Sequence, residues 1–235
     1  MKLKEDNRLT IVEHLNELRG RIIKSLIFVI VCSAILYNLI GIILPVIIRP
    51  AGRLVFIAPT EAFIVNIKIA FLGGIFISSP FLLYQVWQFV SMALKENEKK
   101  YVLIFGIISF FLFIVGSIFG YFVIVPIGMN FLLGFATDIV NPMITISKYI
   151  SFVGTLTFAF SVVFQLPLVM LFLTKIGLVT PLFLSKKRRH AIVCMFILSA
   201  TLTPPDVITQ CLMAVPLLVL YEIGIIFSKC AYRPV

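Results

Sequence analysis

Glu13-His14-Leu15-Asn16-Glu17-Leu18-Arg19-Gly20-Arg21 runs directly into a long apolar stretch that opens at Ile22. At about 100° per residue, Ile11, Leu15, Leu18 and Ile22 share one stripe of a helix, and Glu13, Glu17 and Arg21 share the opposite face. Such a helix leads into a bilayer and carries carboxylates to the membrane edge, where basic residues are the usual occupants. Carboxylates held there point to a cationic partner.

The rest of the chain follows from that entry. Its 235 residues are 61% hydrophobic and 13% charged, with a mean hydropathy of +1.13. A soluble domain of this size does not have that composition, and apolar runs long enough to cross a bilayer recur, so the pattern predicts an all-α polytopic membrane protein. Six helices are expected, near 22–44, 67–90, 101–125, 150–174, 191–203 and 207–227, in one membrane domain over 1–235. The last two look short. Ala191 to Thr203 spans only about 20 Å at 1.5 Å per residue, and the final uninterrupted apolar stretch runs only from Cys211 to Tyr221. Their turn, Thr203-Pro204-Pro205-Asp206, is therefore expected below the far membrane surface, with local thinning or water around Pro205. The first apolar run is too long for the core of a cleavable leader and has no small-residue cleavage site, so no signal peptide is expected.

All but Arg49, Arg53, Lys68 and Lys148 of the 20 basic residues fall in segments that alternate to one side of these spans. By the positive-inside rule that side is cytoplasmic and both termini lie there. The net charge of +10 is thus a footprint of topology, and no nucleic-acid partner is implied. On the other side, 45–66 and 126–149 are long and proline-containing, and Thr60-x-x-Phe63 after Pro59 is expected to open a short helix along the membrane. Cys32, Cys194, Cys211 and Cys230 lack metal-ligand spacing and read as reduced core residues.

Each polar residue at a span or span edge has a structural reading and a functional one. Glu17 is either an i,i+4 partner of Arg21 or a carboxylate that receives a ligand guanidinium. Glu96 and Glu98, in Leu94-Lys95-Glu96-Asn97-Glu98, put a second acidic pair on the same side; Glu98 also suits the N-terminal dipole of the third span. Gln165, two residues before Pro167, either satisfies a kinked bundle or lines a polar contact surface. Asp206 suits an N-cap. Glu222, near the end of an apolar run, is either buried and protonated or paired with a basic loop residue. Gly106, Gly116 and Gly120 predict close helix packing, and Trp87 with Tyr84 falls at the level of an interfacial aromatic belt. No nucleotide-binding loop, zinc motif or nucleophile pattern is present, so neither a catalytic nor a metal site nor a cofactor is expected. A secondary transporter using Gln165, Asp206 and Glu222 as a solute or proton path is the alternative of another class, and a purely structural scaffold a third.

A series of motifs then covers nearly the whole chain in order. His14-Leu15-x-Glu17-Leu18-Arg19-x-Arg21, Ser79-Pro80 with Tyr84-Gln85-x-Trp87-x-Phe89, Glu98-Lys99-Lys100, Phe119-x-Tyr121-Phe122 with Pro126, Tyr149-x-x-Phe152, Phe164-Gln165-x-Pro167, Thr203-Pro204-Pro205-Asp206-Val207-x-x-Gln210 and Pro216-Leu217-x-x-Leu220-Tyr221-Glu222-x-Gly224 resemble the TatC family, the multispanning subunits of the twin-arginine protein translocase. The resemblance implies a concave, glove-like bundle of six helices. It also implies a receptor for folded cargo whose signal peptide carries consecutive arginines, an address that is read rather than an anchor. By the family pattern Glu17 and Glu98 take the arginines, and Arg19 and the first cytoplasmic loop, with Glu96, shape the pocket beside Glu13. Single-span TatA- and TatB-type partners would assemble near Gln165, copies of the chain would associate in the translocase, and the proton-motive force would drive transport. Gln165 stands where many relatives carry glutamate. Ser91-Met92-Ala93-Leu94 lacks the proline that relatives usually place there.

Overall fold

Helix α1 (Ile11–Tyr37) takes up the charged entry and the first apolar run as one 27-residue rod. The computed structural model describes residues 11–51, 54–91, 102–134, 143–202 and 207–232, with the side chains of 11–14 and 51 outside that set. The other helices are α2 (Ile40–Ile48), α3 (Pro59–Ser91), α4 (Val102–Phe119), α5 (Val125–Leu133), α6 (Ile146–Val163), α7 (Leu166–Lys175), α8 (Pro181–Lys186), α9 (Arg188–Leu202) and α10 (Val207–Ala231). Among the described residues, five helical segments are long and apolar enough to cross a membrane, and their lipid-facing sides are studded with exposed Ile, Leu, Val and Phe. The protein is a multi-pass membrane protein.

Three elements depart from expectation, each for a backbone reason. No separate short helix forms at Thr60: Pro59 sits at the start of α3, where its missing N–H is not needed, and the 33-residue helix runs on through it. At about 50 Å it exceeds a hydrocarbon core of about 30 Å and must tilt or emerge. The third span does not stop before Pro126. A π-helical turn, Gly120–Ile124, widens the helix so that Val125 N–H bonds Gly120 O, and α5 continues beyond the proline to Leu133. The last helix is not short. At 25 residues it extends well past its apolar stretch, whereas α9, at 15 residues, remains too short to cross the core without adjustment. The Thr203–Asp206 turn, with Pro205, lies outside the described residues.

Antiparallel neighbours are α1 and α3, α3 and α4, α4 and α6, and α9 and α10, whereas α3 and α6, and α7 and α10, pack in parallel. Gly74 lets α1 come close, since a Cβ there would stand 2.9 Å from Ser33 N. Phe28 on Phe81 and Arg21 on Gln85 continue the same register toward the end of α3. Prolines free carbonyls, and nearby hydroxyls take them up. Pro80 deprives Phe76 O of its helical donor, and Ser79 Oγ donates to it at 2.7 Å. Pro50 does the same to Val46 O, which accepts from Tyr121 Oη at 2.8 Å.

One end of the bundle is clasped by polar groups. Glu61 accepts the backbone N–H groups of Ile57 (2.9 Å) and Ser147 (3.0 Å), and Lys68 Nζ donates to Ser147 Oγ and Ser151 Oγ, both at 2.9 Å. A parallel bridge of Val55 with Thr145 joins the segments leading into α3 and α6. Tyr149, 1% exposed, donates to Ile47 O at 2.9 Å. Tyr149→Phe should therefore remove this bond to the half-buried Ile47 and lower stability by about 0.5–1.5 kcal/mol. Thermal unfolding in micelles reads that directly; an unchanged midpoint would show that Ile47 O finds another donor.

Of the four cysteines only Cys32 is buried; Cys194, Cys211 and Cys230 are exposed on helix surfaces, and all four are free. In a bilayer an outward thiol meets lipid, so an apolar residue type does not by itself mean core. Trp87 turns inward rather than joining an interfacial belt, at 6% exposed, while Tyr84 faces out.

Candidate functional site

The Glu17–Arg21 face of α1 turns toward α3; of the apolar stripe Leu15 and Ile22 are exposed, while Leu18 is half-buried. In a membrane this is the favourable phase, because lipid solvates leucine and isoleucine while protein must satisfy charge. Glu17 and Arg21, one helical turn apart, form an ion pair with Nη2 2.5 Å from Oε1. The guanidinium then reaches across to α3, where Nη1 donates to Gln85 Oε1 at 3.0 Å and to Gln88 Oε1 at 2.8 Å. Gln85 and Gln88 are three residues apart and so present their amides on one face. The i,i+4 pairing was readable from spacing. The two glutamines were not, because nothing local to α1 indicates which face of α3 it meets.

Beside this cluster an apolar cleft of about 570 Å³ opens between α1 and α3. Arg21 and Gln85 close one end, and Leu18, Val29, Phe71, Leu82, Phe89 and Phe158 line the wall. A second apolar crevice, about 320 Å³, lies between α2, α3, α4 and α6 and is walled by residues such as Ile43, Leu72, Phe76 and Val153. The first joins a charged rim to a greasy slot, as a ligand with a basic head and an apolar body requires. Arg19 is exposed on the next face of α1. Glu13 belongs to the first turn of the helix by its backbone, but its side chain, like the whole of Glu96 and Glu98, lies outside the described residues.

Gln165 is engaged within the bundle. It sits at the bend between α6 and α7, where Gln165 N bonds Val162 O at 3.0 Å and Pro167 can offer no N–H. Its side chain makes a reciprocal clasp with α4: Ser109 Oγ donates to Oε1, and Nε2 donates to Ser109 O at 3.0 Å. This is the kinked-bundle reading of that residue, and the side chain uses both ends of its amide. Glu222 takes the paired reading: Oε2 accepts from Arg188 Nη2 at 2.8 Å, with both side chains about half exposed. Its neighbour Tyr221 donates to Leu184 O at 3.0 Å, so α10 is tied to α8 and α9 at that end. Gln210 and Ser199 add a second tie between α9 and α10, through Gln210 Nε2 to Phe196 O and Ser199 Oγ to Gln210 O. Asp206 lies outside the described residues. Among the described residues no group of three or more His, Cys, Asp or Glu is placed to hold a metal ion.

The chain resembles known proteins over nearly its full length. It is 44% identical over 230 residues to the Sec-independent protein translocase protein TatC of Carboxydothermus hydrogenoformans, covering 96% of this chain and 95% of that one. The TatC of Aquifex aeolicus is 38% identical (96% and 97% covered) and the TatCy of Bacillus subtilis 36% identical (97% and 91%). A crystal structure described as the twin arginine translocase receptor TatC superposes with a TM-score of 0.85 at 38% identity, over 94% of this chain and all of that one. The sequence pattern of the TatC family, described as Sec-independent protein translocase protein, matches residues 13–216. With its motif series, its helical architecture and these matches in agreement, the chain belongs to the TatC family of Sec-independent protein translocase proteins.

Proposed function

We propose that this protein is the signal-reading subunit of a twin-arginine translocase, taking the arginine pair of a folded cargo's signal peptide at Glu17 and Glu98. The observation that carries this reading is the guanidinium already seated on Glu17: the carboxylate at the membrane edge is in a geometry that accepts arginine. The adjoining cleft between α1 and α3 offers the apolar segment of the signal a continuous path from that rim. Glu98 and Glu96 supply the second carboxylate from the stretch of sequence between α3 and α4, and Arg19 and Glu13 tune the charge around the rim. Bidentate, charge-assisted contacts of this kind favour arginine over other cations.

In this reading the whole chain works as one membrane domain of six spans, with both termini in the cytoplasm, as the distribution of basic residues supports. Single-span TatA- and TatB-type subunits and further copies of this chain complete the translocase. The proton-motive force drives transport without nucleotide. Gln165, held by Ser109, sets the bend of the wall that such partners meet, and contributes no charge to it. Asp206, Pro205 and Glu222 are further residues of this partner contact, Glu222 as a pairing site for Arg188.

The test is the affinity or cross-linking of a twin-arginine signal peptide to the unaltered protein, Glu17→Ala and Glu98→Ala. Each lost charge-assisted contact is worth about 1.5–3 kcal/mol, so binding should weaken about ten-fold or more in each. Unchanged binding in both variants would mean that the arginines are read elsewhere. Binding of a small solute in place of the peptide would favour a transporter.

A further inference from the structure

Glu17 is both the proposed receptor carboxylate and an occupied one. Its side chain is 35% exposed, and the Arg21 side chain that sits on it is 14% exposed, so the arginine lies behind the carboxylate as seen from outside. An ordinary i,i+4 pair on one helix needs no third party. Here two amide oxygens from another helix converge on the same guanidinium, at 2.8 and 3.0 Å, both on Nη1. Arg21 therefore has two seats: a charged one on α1, reached through Nη2, and a neutral one on α3, reached through Nη1. The hold is incomplete, because Nε is buried without a hydrogen-bond partner.

We infer that Arg21 is a resident competitor for Glu17 and sets the affinity that an incoming cation must exceed before it occupies the site; the inference rests on the receptor reading above. An incoming cation has to offer the carboxylate more than Arg21 already does. A second guanidinium meets that condition, since its planar fork reproduces the charge-assisted contact and can make it bidentate. A lysine ammonium is a compact, strongly hydrated charge, and gives up more water for a single-point contact. It loses an exchange against arginine even where it would bind an empty carboxylate well. Gln85 and Gln88 make the exchange feasible. When Glu17 passes to the ligand, Arg21 remains bonded to both amides and is not left as an unpaired charge at the membrane edge. The glutamines thus place the displaced arginine, and Arg21 sets the threshold for occupancy by having to be displaced.

Two variants separate this from a merely structural role. Arg21→Gln removes the competitor. Gln85→Glu keeps Arg21 but gives it a charged seat on α3, releasing Glu17 by the opposite route. The full chain, in micelles, is titrated with a fluorescent twin-arginine signal peptide and with the same peptide carrying twin lysine. The unaltered protein should strongly prefer arginine. In both variants the affinities for both peptides should rise about ten-fold, the equivalent of one lost charge-assisted contact, which brings the twin-lysine peptide up to occupancy. Affinities unchanged in both variants overturn the inference while leaving the receptor reading intact, as does a fall for both peptides, which would make Arg21 a support for Glu17. If Arg21→Gln does not fold, the affinities in Gln85→Glu decide. Failure of the unaltered protein to bind either peptide sinks the receptor reading, and this inference with it.

Discussion

Trp87→Ala is expected to lower the unfolding midpoint of the protein in micelles by several degrees and to weaken twin-arginine peptide binding at the same time. The indole is buried where three helices meet. It stacks on Phe105 of α4 with centroids 5.2 Å apart and meets Phe172 of α7 edge-on at 5.0 Å, while those two phenylalanines touch each other at 5.5 Å. In soluble proteins, truncating a buried aromatic of this size costs about 3–5 kcal/mol. Lipid tails are as apolar as the side chain, so here the loss is one of dispersion contacts and aromatic geometry rather than of hydrophobic burial. The aromatic pairs alone account for about 0.5–1.5 kcal/mol each. Binding should suffer because Trp87 immediately precedes Gln88, one of the two amides that keep Arg21 bonded when it leaves Glu17. Trp87→Phe, which keeps a ring in the cluster, should recover most of both losses. Peptide binding that survives Trp87→Ala unchanged would show that the glutamine pair is held in place without this cluster.

Gly116→Leu should be as damaging, through crowding rather than a void. A Cβ at Gly116 would stand 2.8 Å from Phe160 O, 2.8 Å from Ser161 Cα and 2.9 Å from Phe164 Cβ. Two of these three are backbone atoms, which no change of rotamer can move aside. Helices α4 and α6 would have to separate, and the 2.8 Å contact between Ser117 Oγ and Ser161 Oγ would open. Overpacking of this kind costs about 1–3 kcal/mol in a well-packed core, and a leucine against fixed backbone belongs at the upper end or above it. Gly106→Leu is the control: no atom lies within 4 Å of its Cβ position, and it should be nearly silent. Equal behaviour of the two variants in a thermal melt would remove close approach as the reason for glycine at 116.

The same pair of glycines shows what a sequence discloses in such a protein. Spacing along the third span suggests that Gly106, Gly116 and Gly120 do one job, yet only the last two face α6 at close range. Hydropathy makes the class of fold plain, because every span must be apolar whatever it touches. It gives phase poorly, because lipid and core are equally apolar solvents, and this is why Trp87 and three of the cysteines face other than expected. Polar side chains inside spans were better guides, since each must find a partner. The bend at Gln165 and Pro167, the Glu17–Arg21 pair and the pairing of Glu222 all follow from that requirement. What stayed hidden was register between helices, and with it Gln85 and Gln88.

The π turn at Gly120–Ile124 has a consequence for what change the third span can tolerate. A turn that holds one residue more than the regular helix sets every following side chain back by about 100° relative to an uninterrupted helix of the same sequence. Ile124, Val125 and Met129 are buried in the phase that this set-back gives them. Deleting one residue of the turn would restore an ordinary helix and leave α5 in its present phase. Forcing the turn into a regular helix at unchanged length would instead rotate α5 by that angle and carry its buried face outward. Length in this span can therefore change at the turn without loss of register, whereas a deletion elsewhere along it turns every following side chain.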